Sequence, residues 1–574
     1  MVAALGVVNM ASEILHPALL ALALQFLLPS LSVERQSARI LAVGVFEFYT
    51  LRYAVWRVTQ TLPPMELAWG TAWQWFFLAA EGLALVYSCL AGLLLVRRSD
   101  LSGVADVREA ELRARAEKPT VTVLIPTVNE PRHVLEATIH AATRIDYPHV
   151  EICVLDDDKG PKALRAGGRV HEWLPDLCAE YGVRYLRRST SGGAKAGNLN
   201  HGVAHSTGEV ILVLDADFRA TPNILWRLVG LLDDTTALVQ TPQHYYTTDP
   251  IQHNLGGGRC WTEEQRHFFD VVLPARDAWG AAVCVGTGFV VWRNALGQHG
   301  FETACLSEDV YGGFAVRSRG FEVRYLNEAL AFGAAADSLS EYIRQRIRWC
   351  QGIIQALWLP YGPVRTPGLR FIERLLYAEM PAYWISQFGF LFFLLVAPAV
   401  YFWTGVPAFG CSSDQAASYL APRVVGAAMV FYWISGGRVM PFISEIRNIV
   451  ALECVLGAIA GLAIAPAGKP FIPTLKGEQR DSVVVQWRIL TPMVALAMVT
   501  LAGIVGALFL ETSPVRWDEY LPVNIALGAY VVALLTFSAL ACVDRPKSTG
   551  AADYRQTIRG RWLRAAATLA RGPG

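Results

Sequence analysis

Long apolar segments on both sides of a polar, mixed middle region constrain this chain more than any other feature. The chain is 53% hydrophobic and only 17% charged, with 17 Trp, and its apolar residues concentrate before residue 97 and after residue 377. A helix needs roughly 20 apolar residues to cross the hydrocarbon core of a bilayer. Segments 15–32, 38–57 and 73–96 answer that description ahead of the middle region. Segments 379–403, 421–437, 447–466, 488–510 and 521–543 answer it behind. The first begins without a basic flank or a small-residue cleavage site, so it reads as a membrane helix and not a removable leader. The second contains Glu47 and Arg52, charges that belong inside a bundle. A formal net charge of +1 gives no general attraction to nucleic acid. The 10 Cys form no CxxC pair and read as small hydrophobes.

Basic residues set the expected orientation. Arg97-Arg98 closes the third segment, which places that end on the cytoplasmic side. The tail after Val543 carries seven Lys/Arg against two Asp and reads as cytoplasmic too. Both ends share a face if four of the five later segments cross. The segment near 441–466, with Glu445, Arg447 and Glu453 along its first half, is therefore assigned to the membrane interface.

From Pro119 the pattern changes to short β-branched runs separated by amphipathic stretches. Thr120–Ile125, Val150–Leu155, Val183–Leu186 and Val210–Leu214 read as nearly fully buried strands of a mostly parallel sheet. Stretches 131–143, 162–179 and 194–205 read as the helices between them. Such a sheet gathers functional groups at the carboxyl ends of its strands. Three polar clusters fall there: Pro126-Thr127-Val128-Asn129-Glu130, Asp156-Asp157-Asp158 and Asp215-Ala216-Asp217. Neither a dinucleotide fingerprint nor a P-loop is present.

Each cluster has a plain structural reading beside a chemical one. Asp215 and Asp217 leave a strand on the same side, so both can reach one Mg2+ or Mn2+ that also binds phosphate; turns after strands are rich in Asp as well. Three adjacent carboxylates at Asp156–Asp158 repel one another unless a cation, a base edge or backbone donors use them, and helix capping would use at least one. Lys195 opens a helix after a glycine pair, a place suited to a diphosphate. Asp309 can serve as a general base, while Ser307, Glu308 and Asp309 also suit a helix N-terminus. Gln345-Arg346-Ile347-Arg348-Trp349 lies in an amphipathic segment, 341–359. Its arginines can neutralise a departing diphosphate and its tryptophan can face a sugar ring. The same residues would also suit a helix on the membrane surface.

Taken in order, LDDDKG at 155–160, AKAGNLN at 194–200, DAD at 215–217, VQTP at 239–242, DAW at 277–279, SED at 307–309 and QRIRW at 345–349 resemble the processive family 2 glycosyltransferases. Among these the chain is most similar to bacterial cellulose synthase catalytic subunits. The resemblance implies a GT-A fold inserted between membrane helices and a UDP-sugar donor, with inverting transfer to a growing β-glycan that threads outward through the bilayer. It implies nucleotide-sugar contacts from Thr127, Glu130, Asp156, Asp157, Lys195, Asp215, Gln345, Arg346 and Arg348. Asp215 and Asp217 would be metal ligands and Asp309 the base. Gly286, Thr287 and Trp349 would lie along the acceptor. Phe471, Thr474 and Lys476 resemble a gating loop (471–477) in which Pro473 replaces the usual valine.

The expected organisation is membrane helices over 1–98, a cytoplasmic GT-A domain over 119–360 ending in an interfacial helix, a membrane region over 361–543, and a basic cytoplasmic tail over 544–574. The implied location is a bacterial inner membrane. Membrane lipids are expected partners, nucleic acid is not, and a periplasmic or regulatory subunit is left open. Residues after 543 are too few for the family's cyclic-di-GMP receptor domain. Cellulose-like β-glucan is the leading product. Curdlan, mixed-linkage glucan, mannan, chitin and hyaluronan types, and a single transfer to lipid, stay as alternatives.

Overall fold

A computed structural model describes residues 19, 23–24, 26–128, 130–157, 172–188, 192–258, 261–466, 481–515 and 517–546. The predicted span 15–32 lies partly outside these residues, and Asp158, the gating-like loop and the tail beyond 546 lie wholly outside them. Helices α1 (Gln36–Gln60) and α2 (Trp69–Leu95) come first. The charges of α1 point inward: Arg39 Nε donates to Leu95 O at 2.9 Å, and Arg57 pairs with Glu81 of α2 at 2.8 Å.

The middle region forms a seven-stranded sheet in the order β3-β2-β1-β4-β8-β6-β9. Its strands are β1 (Val121–Thr127), β2 (Val150–Asp156), β3 (Arg184–Arg187), β4 (Val210–Val213), β6 (Thr236–Gln240), β8 (Phe289–Trp292) and β9 (Glu322–Tyr325). Strands β1 to β4 run parallel, and β8 runs antiparallel between β4 and β6. A small second sheet joins β5 (Arg219–Ala220), β10 (Ala331–Gly333) and β7 (Gln243–Tyr245). Every residue of β1 and β4 is buried, as their apolar runs predict. The strand near 183–186 is different. It is half-exposed, because β3 forms the edge of the sheet and has a partner on one side only. The order in which successive strands are added reverses between the parallel β1 and β4, so the crevice outside their carboxyl ends is the natural ligand site.

Three helices carry this site toward the membrane region: α3 (Ala194–Ala204), α4 (Glu308–Ser318) and α5 (Leu339–Gln355). Then follow α6 (Phe371–Thr404), α7 (Ala421–Ile434), α8 (Pro441–Ile464), α9 (Trp487–Phe509) and α10 (Leu521–Ala541). Among the described residues six helices are long and apolar enough to cross a membrane: α2, α6, Ser413–Ile434, α8, α9 and α10. By length and composition α8 matches the others, yet it also docks on the α/β domain. Arg447 of α8 reaches Asp249 at 3.2 Å and Thr262 O at 3.1 Å.

A further join between the α/β domain and the long helices lies at Arg276 and Trp279. Arg276 donates to Leu376 O at 2.8 Å and pairs with Glu379 of α6. Three residues on, Trp279 Nε1 donates to Leu94 O at 3.0 Å, with the Arg97 guanidinium 4.1 Å above its ring. Trp279 of the DAW motif and the Arg276 just before it thus help to fix how the sheet sits on the helices.

Candidate active site

The ends of β1 and β2 are cross-braced. Thr127 Oγ1 and the Val128 N–H both donate to Glu130 Oε2 at 2.6 Å. Burial raises the Glu130 carboxyl above its ordinary range, and these two donors act against that rise. Asp156 accepts from Tyr185 OH at 2.7 Å. Asp157 is gripped by Arg188 through Nε at 2.8 Å and Nη2 at 2.6 Å. Arg188 also donates to Gly192 O and Ala194 O at 2.6 and 3.0 Å, which ties β2 to the start of α3. There Gly193 adopts φ +73°, the left-handed turn that sets up the helix.

Lys195 stands at the centre. Its Nζ lies 2.5 Å from Asp215 Oδ1 and donates to Gly286 O at 2.7 Å. Burial works to lower its pKa, but Asp215, Glu308 and Asp309 outweigh burial and hold it above the ordinary value. The Asp215 N–H donates to Thr287 Oγ1 at 2.9 Å, and Thr287 is fully buried. Gln240 of the VQTP segment braces the same loop, accepting from Val285 N at 2.9 Å and donating to Thr287 O at 2.7 Å. Gly286 has φ +90°, and a Cβ there would lie 2.8 Å from Asp309 Oδ2. The base candidate therefore leans directly over the loop that Lys195 and Gln240 hold.

Burial is the largest cause that raises the Glu308 and Asp309 carboxyls, and the Lys195 and Arg348 charges pull both back. The Asp309 Oδ1 also accepts from the Val310 N–H at 2.8 Å. Helix α5 meets this turn at Gly352, where a Cβ would fall 2.1 Å from Ser307 Oγ and 2.4 Å from Ser307 N. Gln355 Oε1 accepts from the Leu306 N–H at 3.0 Å. Arg346 is nearly buried; it pairs with Glu264, and its Nε donates to Tyr342 OH at 2.8 Å.

One cavity of about 1710 Å³ unites these parts. From the predicted set, Glu130, Asp157, Lys195, Asp215 and Asp217 line its end at the sheet. Gly286, Asp309, Gln345, Arg346, Arg348 and Trp349 line its middle. Thr127, Asp156 and Thr287 stand behind the wall and support it. The cavity continues among the long helices, past Tyr383, Trp384, Phe431 and Tyr530. Sequence reasoning missed Arg188, Gln240, Gly352 and the Arg276–Glu379 pair as structural partners. Only Gln240 sat in a quoted motif, and nothing local marks a residue whose partner lies from 31 to 103 positions away.

A switch-point crevice holding a DxD, a lysine and a braced carboxylate defines a GT-A glycosyltransferase domain. Residues 122–300 match the family model described as glycosyl transferase family 2. The chain is 30% identical over 474 residues to the cellulose synthase catalytic subunit [UDP-forming] of Pseudomonas fluorescens (strain SBW25), covering 81% of this chain and 61% of that one. It is 28% identical to cellulose synthase 1 of Komagataeibacter xylinus, covering 80% of this chain and 29% of that one. This chain thus spans less than two thirds of the length of these relatives. Among solved structures, a mannosyltransferase from Pyrobaculum calidifontis superposes with a TM-score of 0.37 at 17% identity, covering 81% of this chain and 98% of that one. Residues 122–300 belong to glycosyl transferase family 2, and the chain resembles the bacterial cellulose synthase catalytic subunits.

Proposed function

We propose that this chain is a membrane-embedded, inverting β-glycan synthase that transfers glucose from UDP-glucose to the non-reducing end of a growing glucan. The observation that carries the reading is the single cavity leading from Asp215 and Asp309 into the long helices. A transferase that releases its product to water needs no such path. Aromatic side chains along it offer faces to sugar rings.

In this reading Asp309 takes the proton of the acceptor hydroxyl while that oxygen attacks the anomeric carbon. The bond from that carbon to the diphosphate breaks, and UDP leaves with the electron pair. Lys195 and Arg348 stabilise the departing charge. Arg346, committed to Glu264, positions α5 instead. Asp215 and Asp217 fit a divalent cation, because two hard carboxylates plus substrate phosphates are what Mg2+ or Mn2+ requires. Lys195 lies 2.5 Å from Asp215 and would share that carboxylate with a bound ion. A bound ion would supply charge neutralisation at the diphosphate.

Trp349 faces the terminal acceptor sugar, and the Gly286 loop lies beneath it. The sheet domain sits on the cytoplasmic side of a bacterial inner membrane, with α8 at the interface. A lipid-linked single transfer is the second reading; it too places the site beside the long helices.

The test is incubation of vesicles carrying the chain with Mg2+ and separately labelled UDP-sugars, followed by linkage analysis of high-molecular-weight product. Polymer from UDP-glucose supports the synthase, with a 4-linkage marking a cellulose-like and a 3-linkage a curdlan-like product. Label confined to lipid-sized product favours the single transfer.

A further inference from the structure

Just beyond the last long helix, Asp544 lies almost fully buried where three distant parts of the chain meet. It belongs to β12 (Val543–Asp544), which pairs antiparallel with β11 (Val484–Val485). Its Oδ1 accepts from Leu339 N at 3.2 Å and from Asn254 Nδ2 at 3.1 Å, and its Oδ2 accepts from Gln486 Nε2 at 3.0 Å. Asn254 reinforces the corner, donating to Ala541 O at 2.9 Å and accepting from Arg545 N at 3.1 Å. The Gln486 N–H donates to Cys542 O at 3.0 Å.

Leu339 is the first residue of α5, the helix that carries Gln345, Arg348 and Trp349. Its N–H is among those a helix leaves unpaired, and the Ser338 cap serves Glu341 N instead, at 3.2 Å. A carboxylate at that point also suits the positive end of the helix. Burying a carboxylate is costly unless its oxygens are taken up. Here the donors come from three separate segments, so their mutual arrangement is fixed by one side chain.

We propose that Asp544 is a positioning residue for sugar transfer, setting the axial register of α5 and thereby the placement of Arg348 and Trp349 against Asp309. The inference rests on the transferase reading above. Trp349 lies about 15 Å along the helix from Leu339, at 1.5 Å per residue. Farther on, Gly352 touches the Ser307 turn. A helix pinned at both places holds its register; released at its start, it pivots on the Gly352 contact. Misplacing reacting groups by about 1 Å costs on the order of a hundredfold in rate. Asp157, Lys195 and Asp215 of the donor site lie on other elements, and Arg348, which serves UDP departure in transfer and hydrolysis alike, leaves the ratio of the two to the placement of Trp349 and the acceptor.

The test uses the purified full-length chain with UDP-glucose and compares glucose incorporated into glycan with free glucose. Free glucose arises when water, in place of the acceptor hydroxyl, attacks the anomeric carbon and releases UDP, so hydrolysis is an internal standard. Asp544→Ala is expected to keep the donor KM within about twofold and to lower the glycan-to-glucose ratio about tenfold. Asp544→Asn, which keeps one oxygen for Leu339, is expected to restore most but not all of the ratio. A purely structural role would reduce both products in proportion, and an unchanged ratio overturns the proposal. Should the alanine variant not fold, the asparagine variant is decisive on its own: a ratio equal to wild type overturns the inference, and a lowered one supports it. A wild-type chain that releases no UDP overturns the transferase reading, and this inference falls with it.

Discussion

Asp309 acts as a base only when ionised, and its surroundings work against ionisation. Burial raises its carboxyl and that of Glu308 beside it. A base with a raised pKa is present above that value and lost as pH falls through it. Turnover should therefore decline on the acid side at a pH above the ordinary carboxylate range of about 4. A kcat profile measured against pH with saturating UDP-glucose reads this directly, and an acid limb at or below that range would contradict the burial argument. Asp309→Asn should retain UDP affinity while lowering transfer by about a hundred- to ten-thousandfold. Substantial polymerisation by the folded variant would remove Asp309 from the base role. The acidic clusters were legible in the sequence because their chemistry is local: carboxylates crowd only where something uses them. Arg188 was not legible, since its grip on Asp157 depends on β3 lying beside β2.

At the scale of elements, periodicity marked α5 correctly as an amphipathic helix, beginning two residues earlier than the 341 expected and ending at Gln355. What periodicity cannot give is how closely two backbones approach. Gly352 permits the Ser307 turn to lie against α5 with no room for a methyl group. Gly352→Ala should push the helix off the turn that presents Glu308 and Asp309. Overpacking of this kind costs typically about 1–3 kcal/mol, and the displacement should lower kcat at least tenfold, by the same sensitivity to misplacement. Thermal unfolding in detergent and steady-state UDP release test the two effects separately. A variant with wild-type kcat would mean that the turn adapts without moving the carboxylates. The QRIRW arginines divide for a related reason. On a helix, positions 346 and 348 face different ways, so one can anchor against Glu264 while the other serves the cavity.

For the molecule as a whole, the flanking apolar segments announced long helices, and the ordered motifs announced the domain between them. The join between the two was not readable, because Arg276, Trp279, Leu94 and Glu379 become neighbours only after folding. That join aligns the catalytic crevice with the space among the helices, and the alignment makes a direct prediction. Ala84 of α2 lines the cavity about ten residues, or about 15 Å, from Leu94, where the helix meets the sheet domain. Ala84→Trp fills the path without touching Lys195, Asp215 or Asp309. If product leaves through the cavity, this variant should still release UDP in early turnovers while the length of labelled glycan collapses. Size separation of product beside a UDP-release assay makes the comparison. Long glycan from the tryptophan variant would place the exit elsewhere. Loss of all UDP release from a folded variant would mean that the two ends of the cavity are coupled more tightly than a simple conduit requires.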